Sequence, residues 1–156
     1  MKTLVIGLGN PILTDEGVGV KVAYALQEIL ADSRPDVTVT EASAGGLRLM
    51  EMMIGYDRAI IVDAFTNGDN QPGRMHRMTL DDLRSISPTQ HSASAHDTTL
   101  ATALDSGKAL GIHLPGEVVI YAIEVENVID FSDEPTTAVA AAIPGAVTAV
   151  LAELET

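Results

Sequence analysis

The side chains of this chain that could do chemistry are carboxylates and imidazoles. None of its 156 residues is cysteine, which excludes a thiolate nucleophile, a disulfide or a thiolate metal site. A glycine loop, Gly7-Leu8-Gly9-Asn10-Pro11, runs into Thr14-Asp15-Glu16-Gly17-Val18-Gly19. Asp15 and Glu16 stand where a helix should begin. Both could simply cap it and offset its positive end, or Asp15 could cap it while Glu16 points at a site. Asp63 closes the apolar run Ala59-Ile60-Ile61-Val62. A carboxylate there is costly unless the amides of the next turn, a cation or a metal satisfy it. Of the four histidines, His76 on an edge strand and His113 in a Gly-Ile-His-Leu-Pro turn read as surface residues. His91 and His96 lie in or beside a serine-rich stretch. Oxygen and nitrogen donors without sulfur suit a borderline divalent ion with coordination positions left open, and nickel, zinc or cadmium would fit. A carboxylate could also activate an attacking water. Ser92 and Ser94 lie near these histidines, but no nucleophile-elbow pattern surrounds them.

The elements that must position these groups are legible from the spacing of apolar residues. Thr3 to Leu8 is a short apolar run ending in glycine, the pattern of a buried strand. Val18, Val22, Leu26 and Ile29 then recur at helical spacing, and Pro35 ends that helix. Val37 to Glu41 alternates as a second strand. Gly45-Gly46 opens a helix with Leu47, Leu49, Met50 and Met53. Ala59 to Asp63 is a strand, Asn67 to Gly73 a turn-rich loop, and Arg74 to Met78 a short edge strand. Thr79 to Ala95 is polar and lacks a period, which predicts a loop. A helix follows over Thr99 to Leu110, with Leu100, Ala103, Leu104 and Leu110 inward. Glu117 to Ile123 is a strand, and Pro135 to Leu154 a terminal helix that Pro144 should kink or interrupt.

Strands alternating with helices imply an α/β fold, a three-layer sandwich with a mostly parallel twisted sheet and helices on both faces. Residues 1–156 read as a single domain. Ligands in such folds sit beyond the carboxyl ends of the strands. Gly9 to Glu16, Asp63 to Asn67 and the Ser92 to Asp97 stretch would deliver polar residues there.

Bulk composition narrows the function classes. A chain of this length buries roughly 68–70% of its unfolded surface. With 46% hydrophobic residues and only 3% aromatics, the core must be aliphatic. The formal charge of −13, from 9 basic and 22 acidic residues, repels phosphate backbones, so no nucleic-acid partner is expected. A partner with a basic face would be steered in, although solubility alone would explain the charge. Thr3 to Gly7 is too short for a signal h-region, and Ala138 to Val150 falls short of a membrane span. A cytoplasmic protein with no membrane partner is the expectation, with a monomer favoured.

The glycine loop invites rival readings. A dinucleotide fingerprint needs a third glycine where Ile12 stands. Val5-Ile6-Gly7-Leu8-Gly9-Asn10-Pro11 resembles the start of bacterial peptidyl-tRNA hydrolases. Their catalytic His element is replaced here by Thr14-Asp15-Glu16-Gly17, and the acidic surface suits tRNA badly. The whole segment Gly7-x-Gly9-Asn10, then Asp15-Glu16-Gly17-x-Gly19, resembles the N-terminal signature of hydrogenase maturation proteases. So do Ile60-Ile61-Val62-Asp63-Ala64, the His96 entry into the Leu100 and Leu104 helix, and Ile123-Glu124-Val125-Glu126-Asn127. The likeness spans essentially the whole chain.

That resemblance implies a specific chemistry. Glu16, Asp63 and His96 would be metal ligands, with His96 preferred to His91. Glu16 or Asp63 would be the catalytic carboxylate, the choice between them being open. Gly9, Asn10 and Asp15 would contact substrate. The substrate would be a hydrogenase large-subunit precursor already loaded with nickel, and a short C-terminal peptide would be removed from it, generally after a His or Arg. Nickel would arrive with the precursor, although other divalent ions could occupy the site. A noncatalytic nickel-binding maturation chaperone using the same residues is the alternative from another class.

Overall fold

The computed structural model describes residues 1–66, 71–85 and 95–156, with side chains at 1–66, 71–83 and 100–156. Its strands are β1 (Thr3–Leu8), β2 (Val37–Ala42), β3 (Arg58–Phe65), β4 (Met75–Thr79) and β5 (Glu117–Glu124). The helices are α1 (Val18–Leu30), α2 (Gly46–Met52), α3 (Leu80–Ser85), α4 (Ala95–Ala109) and α5 (Thr137–Leu154). The strands form one sheet in the order β2-β1-β3-β5-β4. All neighbours are parallel except β4, which runs antiparallel to β5.

Alternation along the strands sorts the core into two layers. Leu4, Ile6, Leu8, Ala59, Ile61, Phe65, Val118, Ile120 and Ala122 face α2, α3 and α4. Val5, Ile60, Val62, Ala64, Val119, Tyr121 and Ile123 face α1 and α5. β1 and β3 are buried along their whole length, as a parallel sheet covered on both faces requires. The three-layer expectation therefore holds.

Several local expectations fail for identifiable reasons. Part of the stretch read as loop is helix α3, which places Leu80 and Leu83 in the core. A reciprocal cap starts it: Thr79 N–H donates to Asp82 Oδ2 at 2.8 Å, and Asp82 N–H to Thr79 Oγ1 at 3.3 Å. Helix α4 begins at Ala95 rather than Thr99 and ends before Leu110, which is 80% exposed in the turn closed by Gly111 (φ +83°). Ile29 also faces solvent. Pro144 does not interrupt α5. That helix is long and apolar enough by composition to cross a membrane, but here Val139, Ala146, Val147, Val150 and Leu154 pack it onto the sheet.

The amino-terminal end of the sheet carries a support the sequence reading missed. Arg58 is buried, and its guanidinium donates to the carbonyls of Glu153, Leu154 and Thr156. It satisfies the unpaired carbonyls at the end of α5 and offsets their partial negative charge.

Candidate active site

The strand order reverses direction at β1: β2 is added on one side of it and β3 on the other. Between β1 and β3 the two crossover connections diverge, and the carboxyl ends of these strands are where such sheets place their ligands. The glycine segment is built to fit there. A Cβ on Gly7 would lie 2.2 Å from the Gly19 carbonyl oxygen, and one on Gly19 would lie 2.3 Å from that of Val62 and 2.6 Å from that of Leu8. The first turn of α1 thus sits directly on the backbones of β1 and β3. Gly9 has φ +137°, and a Cβ on it would meet the Glu16 carbonyl oxygen at 1.9 Å. A side chain at any of these positions would push the loop off the strands.

Asp15 and Glu16 lie in a single 3-10 turn, Thr14–Gly17, but face different surroundings. Asp15 is fully buried. Its Oδ2 accepts from the backbone N–H of Glu126 (3.1 Å) and Asn127 (3.0 Å), and its Oδ1 from that of Thr136 (2.7 Å). The Thr136 hydroxyl donates to both oxygens. Both oxygens are therefore engaged by the 126–136 loop, so Asp15, expected as a substrate contact, clamps two loops together. Thr14 beside it adopts φ +52°, an uncommon backbone for a β-branched residue, with its N–H bonded to Ser132 O at 3.0 Å. Glu16 remains half-buried next to Gly9.

Asp63 is buried on β3. It does not close the strand as expected, because β3 continues to Phe65. It is instead the first residue past the pairing with β1, which ends at Gly7 and Val62, while pairing with β5 continues. Its Oδ1 accepts from Ala64 N–H at 2.9 Å. By alternation it faces the α4 layer. The Glu16 turn and β3 are in contact, so the structure brings both carboxylate segments to one sheet edge. Asn10 shapes the loop between them. Its Oδ1 accepts from Ile12 N–H (3.2 Å), its carbonyl accepts from Leu13 N–H (3.2 Å), and the Gly9 carbonyl accepts from Ser43 Oγ (2.8 Å). His96 lies in the first turn of α4, on the layer Asp63 faces. His91 lies outside the described residues.

The sequence reading missed a second polar pair on the same edge. Asp63 is in register with Ala122, and Ala122 with His76, so all three side chains leave the sheet on one face. His76 Nε2 is 2.9 Å from Glu124 Oε2, and its ring packs edge-on against Phe65 at 5.1 Å. His76 is thus half-buried and paired, not a plain surface residue. Glu124 is 2% exposed, and its Oε1 has no hydrogen-bond partner among the described residues. A carboxylate ending the apolar run Val118 to Ile123 was the available signal. His113 is a surface residue as expected, paired with Asp57 at 3.0 Å.

A doubly wound sheet with two carboxylate segments gathered at its reversal point defines a small α/β protein with a polar site at that edge, and comparison with known proteins specifies which. The family model described as hydrogenase maturation protease matches residues 20–153. The Hydrogenase 2 maturation protease of Escherichia coli is 32% identical over 129 residues, covering 81% of this chain and 75% of that protein. The hydrogenase expression/formation protein HupD of Rhizobium leguminosarum is 27% identical over 94% of this chain and 70% of its own length. Among solved structures, the hydrogenase maturating endopeptidase HybD of Escherichia coli superposes with a TM-score of 0.79 at 29% identity, covering 99% of this chain and 93% of that one. The chain belongs to the hydrogenase maturation protease family and is a peptide-bond hydrolase.

Proposed function

We propose that this endopeptidase removes a short C-terminal peptide from the nickel-loaded precursor of a hydrogenase large subunit, completing maturation of its metal centre. The observation that carries this reading is the convergence of the Glu16 and Asp63 segments at the β1/β3 edge. In this reading the nickel is part of the substrate. Two carboxylate oxygens and the His96 imidazole are donor types that accept a borderline divalent ion, and without a thiolate they form a modest site for a free one. Such a site gains its full ligand set only when the precursor contributes its own. Bound nickel would supply positive charge beside the scissile carbonyl.

The chain's own residues do the rest. One carboxylate, Glu16 or Asp63, takes the proton of the attacking water. The other orients the metal-bearing tail. The rigid Gly9-Asn10 loop lies alongside as the wall of the crevice. The enzyme would act in the cytoplasm, as a monomer engaging its precursor.

Mixing the enzyme with apo-precursor and with nickel-loaded precursor, then measuring subunit mass, tests the reading. Shortening of the nickel-loaded form alone is expected. Equal cleavage of both would overturn the dependence on nickel and leave an ordinary carboxylate protease. Cleavage of neither would favour a noncatalytic nickel-binding chaperone.

A further inference from the structure

The Asp15 clamp fixes two loops as one rigid surface beside Glu16, and the outer side of that surface is apolar. Leu13 bridges Ser132, and Ser132 N–H donates to the Ile12 carbonyl at 2.9 Å. This register sets Ile12 next to Phe131. Ile12 is 54% exposed and Phe131 81%, and Ile129, two residues before Phe131, is 82% exposed. Burying a carboxylate under four hydrogen-bond donors to hold three apolar side chains in water makes little sense for a free surface. The aromatic matters especially here, since the chain has only two phenylalanines and no tryptophan, and exposed aromatics are typical interface anchors.

The rim supplies the charge complementarity. Asp130, Asp133 and Glu134 are exposed around these residues. No lysine or arginine follows Lys108, and none lies between Lys2 and Lys21. The two segments that form the patch are therefore apolar at the centre and carry acidic but no basic residues around it, which fits a partner surface that is apolar with basic residues around it.

We infer that the Ile12, Ile129 and Phe131 patch docks the folded body of the precursor through a basic-rimmed apolar surface, holding its tail over Glu16. The inference rests on the protease reading above, and it assigns recognition to a surface outside the crevice. Docking next to the crevice converts capture of a flexible tail into a local event at high effective concentration.

The test uses the full-length enzyme and the nickel-loaded precursor, measuring binding by anisotropy alongside cleavage kinetics. For the variant Ile129→Ser with Phe131→Ser, KM and Kd for the precursor are expected to rise at least tenfold while kcat at saturation and Tm stay near wild type. For Asp133→Asn with Glu134→Gln, a rise of a few-fold is expected at low salt and none at high salt. Unchanged KM and Kd in both variants would overturn the inference. So would sedimentation showing a wild-type dimer that these substitutions dissociate, since a second copy would then cover the patch. Binding by wild type that the variants weaken, without any cleavage, would support the docking surface and refute the protease reading. A wild-type enzyme that does not bind the precursor refutes the docking surface as well.

Discussion

Asp15 and Glu16 are neighbours in the chain, yet one spends both oxygens on a loop more than a hundred residues away and the other stays half-exposed beside Gly9. The two therefore fail differently when changed. Asp15→Ala leaves three backbone N–H groups and a hydroxyl without their acceptor in a buried place. A loss of about 3 kcal/mol in urea unfolding is expected, with cleavage falling in step with folding. Glu16→Gln keeps shape and size. Its stability is expected to stay within about 0.5 kcal/mol of wild type, while cleavage of nickel-loaded precursor falls about a hundredfold or more. An enzyme with Glu16→Gln that processes at the normal rate would exclude Glu16 from the chemistry. The sequence showed two adjacent acids at a helix entrance but not which one turns inward. That is decided by the donors of residues 126–136, which no local pattern connects to position 15. His76 was misread for the same reason: its partner Glu124 and its neighbour Phe65 come from two other strands.

Among the elements, strands and the first helix followed directly from apolar periodicity, because β1 and β3 are buried on both faces and α1 on one. Helix α3 did not, since six residues carry too little period. Its Thr79 to Asp82 cap was the readable sign. The end of α4 was placed too late because Leu110 looked like one more core leucine. The backbone turns at Gly111 first and leaves Leu110 in solvent. What periodicity could not reveal is how closely α1 approaches the sheet, which the glycines set. Gly19→Ala would put a methyl within 2.3 Å of the Val62 carbonyl oxygen, against backbone on both strands. A loss of about 3 kcal/mol is expected, at the upper end of overpacking costs. Chemical-shift changes should extend from α1 to Ala64. A Gly19→Ala protein as stable as wild type would show that α1 can lift without cost, and that the close seating is not what fixes the crevice.

For the molecule as a whole, the two ends of the sheet divide the work. The carboxyl edge holds the carboxylates and the acidic, apolar docking face, while the opposite end and the α5 side hold the fastenings. Arg58 caps α5, and Glu153 on that helix accepts from Arg77 Nε and the Tyr121 hydroxyl, each at 2.7 Å. The Arg77 hydrogen bond, aided by Tyr121 and opposed by burial, holds the Glu153 carboxyl below its ordinary value. A lowered carboxyl stabilises the fold above the ordinary carboxylate range, and that stabilisation is lost as pH falls through the lowered value. Glu153→Gln should therefore unfold at lower urea than wild type at pH 7, with the gap closing below about pH 4. A gap that is constant with pH would rule out the charge as its source. The Asp15 clamp also has a consequence in time. A chain leaves the ribosome amino terminus first, so Asp15 and Glu16 emerge early, while every donor that secures Asp15 lies between Glu126 and Thr136. Until that last fifth is synthesised the Asp15 side of the loop lacks these donors to close on, and a partly made protease has no finished place to cut.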